Sequence, residues 1–243
     1  MPRLPFVAFS LLLAACSEPT GSTDIASTLR FADRTDAEIL RLINAAGGTE
    51  MFQAEGALGR YDDSDPERDP CPAVDVQDGT AVITGGCTTM DGVTLAGYAT
   101  IDNPLGFDAL DYDYQSDTVY QANAFTITDS GQSITYDGEL RRADQFATWD
   151  ADLVVTIGGV ALRSDLFYHC TNPDNPRCAL SGSGLELIGV GGALVSGQVA
   201  IDRAAGRQTA SFTLRGVDVL NVAMADGCVA WSIEGTDRGR TCP

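Results

Sequence analysis

The sequence predicts a mostly all-β protein: an antiparallel β-meander of about a dozen strands forming a curved sheet, half-barrel or barrel, with one short N-terminal amphipathic helix. Three observations predict it. From Ala73 onward, apolar residues recur with a period of two. Tight-turn signals punctuate that pattern at Asp78-Gly79, Asp91-Gly92, Asp129-Ser130-Gly131, Gly158-Gly159, Gly189 to Gly192, Ala204 to Gly206 and Ala225-Asp226-Gly227. Only one segment, residues 36–46, shows a clear helical period.

In chain order, Thr35-Asp36-Ala37-Glu38 forms a capping box, in which Thr35 accepts the Glu38 backbone N–H and Glu38 reaches back. Ile39, Leu40, Ile43 and Ala46 then share one helical face, and Gly47-Gly48 stops the run. Met51 to Arg60 fits a further helical turn or a strand equally well. Asp62 to Asp69 is acidic enough for a calcium loop but lacks the EF-hand order, so it reads as an exposed linker. Val74 to Gln77 and Thr80 to Ile83 flank Asp78-Gly79, a register that sets Val76 opposite Ala81 and Cys71 opposite Gly86. A bulge at Gly85-Gly86 would bring Cys87 to Cys71.

Further on, Val93, Leu95, Gly97, Ala99 and Ile101 share a face. So do Ala147, Trp149, Ala151, Leu153, Val155 and Ile157, and likewise Ala193, Val195, Gly197, Val199 and Ile201. One-sided alternation joined by tight turns means apolar inside and polar outside. Gly97, Gly138 and Gly197 interrupt such runs, and glycine lets a strand bend sharply. A flat sheet of a dozen strands would be unusually wide, so the sheet should curl, with the helix plugging its concave side.

The chain carries a formal net charge of −19 and all fifteen of its basic residues are arginine, which sets it against nucleic acid and anionic lipid surfaces as partners. At 44% apolar residues it can build a real core.

Met1 to Arg3 open with a positive charge, and Leu4 to Leu13 form an apolar run too short to span a bilayer. Leu13-Ala14-Ala15-Cys16 follows and resembles the bacterial lipobox. The resemblance implies a signal peptide over residues 1–15 and lipidation of Cys16, with more than one acyl chain (palmitate among them) for stable anchoring. Ser17 after the cysteine implies sorting to the outer membrane of the cell envelope. Residues 16–34 then read as lipidated cysteine and flexible tether, and residues 35–243 as a single β-rich domain.

In an exported chain, the six remaining cysteines read as three disulfides. Local spacing pairs Cys71 with Cys87, Cys170 with Cys178 and Cys228 with Cys242. A zinc site is disfavoured because there is no C-x-x-C and His169 is the only histidine. A membrane-spanning barrel is disfavoured by Gly- and Ala-rich inner faces without aromatic girdles.

Candidate chemistry is sparse. His169 lacks a G-x-S-x-G partner motif. If Ala143-Asp144 is a tight turn, Asp137 faces Asp150, Glu139 faces Thr148, Gly138 faces Trp149, and Asp137, Glu139, Asp150 and Asp152 share the polar face. Two carboxylates there could do glycosidase chemistry and several could hold Ca²⁺, although a solvated acidic face is the simpler reading. Asp111-Tyr112-Asp113-Tyr114 could mark a recognition surface.

The expectation is a membrane-anchored envelope lipoprotein that acts as a non-enzymatic binding or structural module, needs no cofactor, and has a protein or an envelope polymer as partner. The alternatives are a half-barrel carrier of a hydrophobic ligand and, below it, a hydrolase using the surface carboxylates. A hollow concave side would favour the carrier, a filled one the binding module.

Overall fold

The computed structural model describes residues 28–59, 70–102, 117–143, 148–171, 177–202 and 207–242. The leader with Cys16, the acidic stretch Asp62 to Asp69 and the Asp111 to Tyr114 motif lie outside the described residues.

A short 3-10 turn, Phe31–Asp33, leads into two helices, α1 (Asp36–Ala46) and α2 (Thr49–Gly59). Fourteen strands follow: β1 (Ala73–Gln77), β2 (Thr80–Thr84), β3 (Cys87–Thr88), β4 (Thr94–Asp102), β5 (Thr118–Asp129), β6 (Gln132–Ala143), β7 (Thr148–Ile157), β8 (Val160–Thr171), β9 (Arg177–Leu187), β10 (Gly191–Asp202), β11 (Arg207–Arg215), β12 (Val219–Ala225), β13 (Cys228–Ile233) and β14 (Thr236–Thr241).

The capping box at α1 is formed in both directions. Glu38 N–H donates to Thr35 Oγ1 at 3.3 Å, and Thr35 N–H donates to Glu38 Oε2 at 2.9 Å. That carboxyl is held below its ordinary value, first of all by the Thr35 backbone N–H. The ambiguous stretch after Gly48 is helix α2, which buries Met51, Ala54 and Leu58.

All the strands belong to one antiparallel sheet. The order follows the sequence, with β2 next to β4 and β3 a short side branch on β4. The path runs from β1 to β14, and among the described residues these two ends are not neighbours. The first hairpin has the expected register, with Val76 opposite Ala81. The extra residues at Gly85-Gly86 let β3 turn onto β4, where Cys87 pairs with Leu95. Three disulfides close the expected pairs: Cys71–Cys87, Cys170–Cys178 and Cys228–Cys242.

Simple dimensions show that the sheet curls. Laid flat at ~4.8 Å per strand, it would be ~60 Å wide. Each eleven-residue helix is only ~16 Å long. Yet Ala81 and Ile83 on β2 and Trp231 and Ile233 on β13 belong to the same buried cluster as Ile39, Leu42 and Ile43 of α1. Two such helices side by side cover only ~20 Å of the sheet, so the burial of inward side chains from β2 to β13 means that the sheet curls over them. Helix α1 lies against β8 and β9, and α2 against β4, β6 and β7. Tyr168 of β8, fully buried, donates its hydroxyl to the Ala46 carbonyl at 2.7 Å and so secures the end of α1.

One boundary differs from expectation. The tether was expected to run to residue 34, but residues 28–34 are docked. Leu29 and Phe31 are buried to 1% and 0% exposure. Leu29 N–H donates to the Gly192 carbonyl at 3.3 Å, and Val217 N–H donates to the Leu29 carbonyl at 2.8 Å. Asp218, itself buried, accepts from Phe31 N–H at 2.6 Å and Ala32 N–H at 3.0 Å. Two apolar side chains beside Arg30 and Asp33 give no periodic signal, so this local sequence reads as polar linker.

One ion pair fastens α2 to the sheet, and another joins α1 to α2. Arg142, 5% exposed, donates to Glu55 Oε1 at 2.7 Å and to Thr118 Oγ1 at 3.1 Å, while Trp149 donates its indole N–H to Glu55 Oε2 at 3.3 Å. Arg41 donates to Glu50 at 3.1 Å and also to the Val155 carbonyl at 2.8 Å. Burial pushes the Glu50 carboxyl up, against the pull of Arg41.

Candidate functional site

The expected register of β6 against β7 is corrected by the structure. Glu139 faces Asp152, Arg141 faces Asp150, Asp137 faces Val154 and Gly138 faces Leu153. Trp149, expected over Gly138, lies opposite Arg142. The connection spans residues 144–147 instead of turning at Ala143-Asp144. Two additional connecting residues move each β6 residue's partner four positions along β7, without changing which side chains face out, because the strand period is two.

The four acidic candidates therefore share the outer face but in a different arrangement. Asp137 accepts the Ala124 N–H at 3.1 Å and so fastens a bulge. Asp152 is held by Arg163 through two hydrogen bonds of 2.9 and 3.0 Å. Asp150 sits opposite Arg141, and burial raises its carboxyl first, with the charge of Glu139 adding to it. Asp165, opposite Asp152, is likewise raised by burial and then by the Asp152 charge. Among the described residues, no group of three or more His, Cys, Asp or Glu side chains is placed to hold a metal ion.

This face carries an open recess of about 310 Å³. Tyr98, Gln121, Asn123, Glu139 and Asp152 line it, with Ala122 and Gly138 completing the wall. Its origin is a pair of bulges. The β4–β5 register shifts between Ala96 and Tyr98, and the β5–β6 register shifts between Ala122 and Phe125. Gly97 has φ of 73°, and a Cβ there would strike the Ala124 carbonyl. Gly138 has φ of 118°, and a Cβ there would strike the Asp152 carbonyl. Both positions require glycine, and the backbones approach closely because of it.

The lining is pre-set by its own hydrogen bonds. Asn123 Nδ2 donates to Tyr98 Oη at 3.1 Å, and Gln121 Nε2 donates to Glu139 Oε2 at 3.0 Å. Tyr98 remains 47% exposed. The recess thus offers one aromatic ring, two side-chain amides and two carboxylates to solvent. Such a set can stack on a ring and exchange several directional hydrogen bonds with a hydroxylated ligand. Catalytic division of labour is a different matter. Asp150 and Asp165, the raised carboxyls, are not among the residues lining the recess, and Asp152 inside it is neutralised by Arg163.

His169 lies on β8 with its side chain exposed, opposite Thr148 and Ala179 and next to Cys170. Sequence reasoning missed Tyr98, Gln121 and Asn123. The available signal was the mid-strand glycines, Gly97 and Gly138, which mark the bend that opens the recess.

Comparison with protein-family models, with curated proteins and with solved structures finds no match for this chain.

Proposed function

We propose that this protein is a cell-envelope lipoprotein, anchored through Cys16, that binds a hydroxylated envelope polymer in the outer-face recess. One observation carries the binding reading. The concave face is filled by α1, α2 and residues 28–34, so the open, structured recess lies on the polar outer face. A carrier of a hydrophobic ligand needs its volume where these helices sit. A hydrolase needs its raised acid in the cleft, and Asp150 and Asp165 lie outside it.

The ligand class follows from the lining. Tyr98 offers a stacking face, and Gln121, Asn123 and Glu139 offer donors and acceptors. The net charge of −19 disfavours polyanions and leaves neutral or amine-bearing polysaccharide. The anchor reading rests on Leu13-Ala14-Ala15-Cys16.

Two measurements test the two halves. Cys16→Ser should move the protein from the membrane to the soluble fraction, and persistence on membranes after a high-salt wash refutes the anchor. Tyr98→Ala with Gln121→Ala should abolish retention on insoluble cell-wall polysaccharide at unchanged thermal stability. Equal retention of variant and wild type refutes the recess.

A further inference from the structure

We infer that one rim of the sheet, made by three neighbouring apolar turns, rests on the lipid surface to which the chain is tethered. The inference deepens the proposed anchoring by assigning a face of the folded domain to the bilayer.

The rim is set by the meander. Consecutive antiparallel strands put the turns β5–β6, β7–β8, β9–β10, β11–β12 and β13–β14 at the same end. The outer two of these five, Ser130-Gly131 and Glu234-Gly235, are polar. The three between them are not. Ile157-Gly158-Gly159-Val160, Ile188-Gly189-Val190 and Gly216-Val217 present Ile157, Val160, Ile188, Val190 and Val217, each between 37% and 61% exposed. Such positions are ordinarily polar in a soluble hairpin. A contiguous exposed apolar set marks an interaction surface.

Charge singles the rim out further. The chain holds 34 acidic residues, yet the first two of these turns carry none. Asp218, beside the third, is turned inward onto Phe31 N–H and Ala32 N–H and is only 8% exposed. The turn tips therefore carry no exposed acid on an acidic protein, and the charge beside them is cationic, with Arg41 donating to the Val160 carbonyl and Arg215 exposed next to Gly216, a composition suited to a lipid interface.

The occupant is fixed by where the chain emerges. Leu29 is threaded between the second and third apolar turns, through Gly192 on one side and Val217 on the other. The Cβ position of Gly191 is occupied by Thr28, so the chain leaves over this rim. Residues 17–27 then separate the domain from Cys16. Such a length spans ~17–20 Å as a flexible coil and at most ~40 Å extended, so an anchor at Cys16 holds this rim, and not the opposite end, nearest the membrane.

The test uses tryptophan as a depth probe. Every described element begins at or after residue 28, so residues 1–15 can be replaced by a hexahistidine tag, with Cys16→Ser, without removing any of them. The protein is then held on phosphatidylcholine vesicles containing a nickel-chelating lipid, which makes the result independent of lipidation. The native Trp149 and Trp231 are buried at 4% and 5% exposure and supply a constant background. Val190→Trp and, separately, Ile188→Trp should shift emission to the blue on the vesicles. Acyl-brominated phosphatidylcholine should quench them several-fold more than Gln132→Trp on the flanking polar turn. Quenching at both apolar positions no greater than at Gln132 overturns the inference, whether the rim is then solvated or meets a protein. Mass analysis of Cys16 acylation in native membranes reads the anchor separately, so failure of one is distinguishable from failure of the other.

Discussion

Asp218→Ala is the sharpest perturbation of the architecture. The Asp218 carboxylate holds residues 31 and 32 to the β11–β12 turn, accepting Phe31 N–H at 2.6 Å in a buried setting and Ala32 N–H at 3.0 Å in a half-buried one. Alanine leaves both donors without this acceptor. A buried unsatisfied donor costs ~1–3 kcal/mol, and hydrogen bonds to a charged group are worth ~1.5–3 kcal/mol each. Counting the buried bond in full and the half-buried one at a fraction gives about 3 kcal/mol. For a domain of this size that is a fall in Tm of ~6–12 °C. Asp218→Asn keeps one acceptor oxygen and should lose about half as much. The assay is thermal unfolding with the disulfides oxidised, alongside hydrogen exchange at Phe31 and Ala32. Exchange at those amides should rise well before exchange in β6–β8. A loss under about 0.5 kcal/mol with unchanged exchange would mean that residues 28–34 are tether after all, and would refute the argument.

Three further outcomes are expected. Arg142→Met strands the Glu55 carboxylate beneath α2 and should cost about 3 kcal/mol in denaturant unfolding, while Arg142→Lys should recover less than half, because one ammonium cannot serve both Glu55 and Thr118. Glu50 is raised above its ordinary 4.5 by burial, so its contribution is fully present below that value and is lost as pH rises through the folded-state value. Glu50→Gln does not ionise and should gain on wild type as pH rises above 4.5 in thermal melts; a pH-independent difference counts against this. Gly138→Ala, forced to φ of 118° with its Cβ against the Asp152 carbonyl, should lose about 3 kcal/mol, and a neutral effect would show the bend to be pliable.

What the sequence disclosed was what is local. The Thr35–Glu38 box, the Asp78-Gly79 hairpin and the three cysteine pairs each depend on residues no more than sixteen apart. The outward placement of Asp137, Glu139, Asp150 and Asp152 followed from period two alone, which survives any even slip in register. Their partners did not follow, because the length of the β6–β7 connection carries no composition signal. Helix α2 stayed ambiguous because Gly56 and a weakly sided pattern suit helix and strand alike. The Arg142–Glu55 and Asp218–Phe31 contacts join positions 87 and 187 residues apart, and no spacing rule reaches that far. The recess was hidden for a related reason: it is a product of two bulges, and only the glycines that permit them are visible in the chain.

The Asp218–Phe31 bridge also orders events in time. Neighbouring strands of the meander can zip as they appear, each onto the one before it. Helix α1 must wait for β8 and β9, made after it, and residues 28–34 must wait for the β11–β12 turn, with Asp218 187 residues beyond Phe31. Until then the apolar sides of Leu29 and Phe31, and of the core they cover, stay open. The nascent protein therefore keeps adhesive surface until the β11–β12 turn is made, and truncation anywhere ahead of Asp218 should yield aggregates in place of a smaller folded domain.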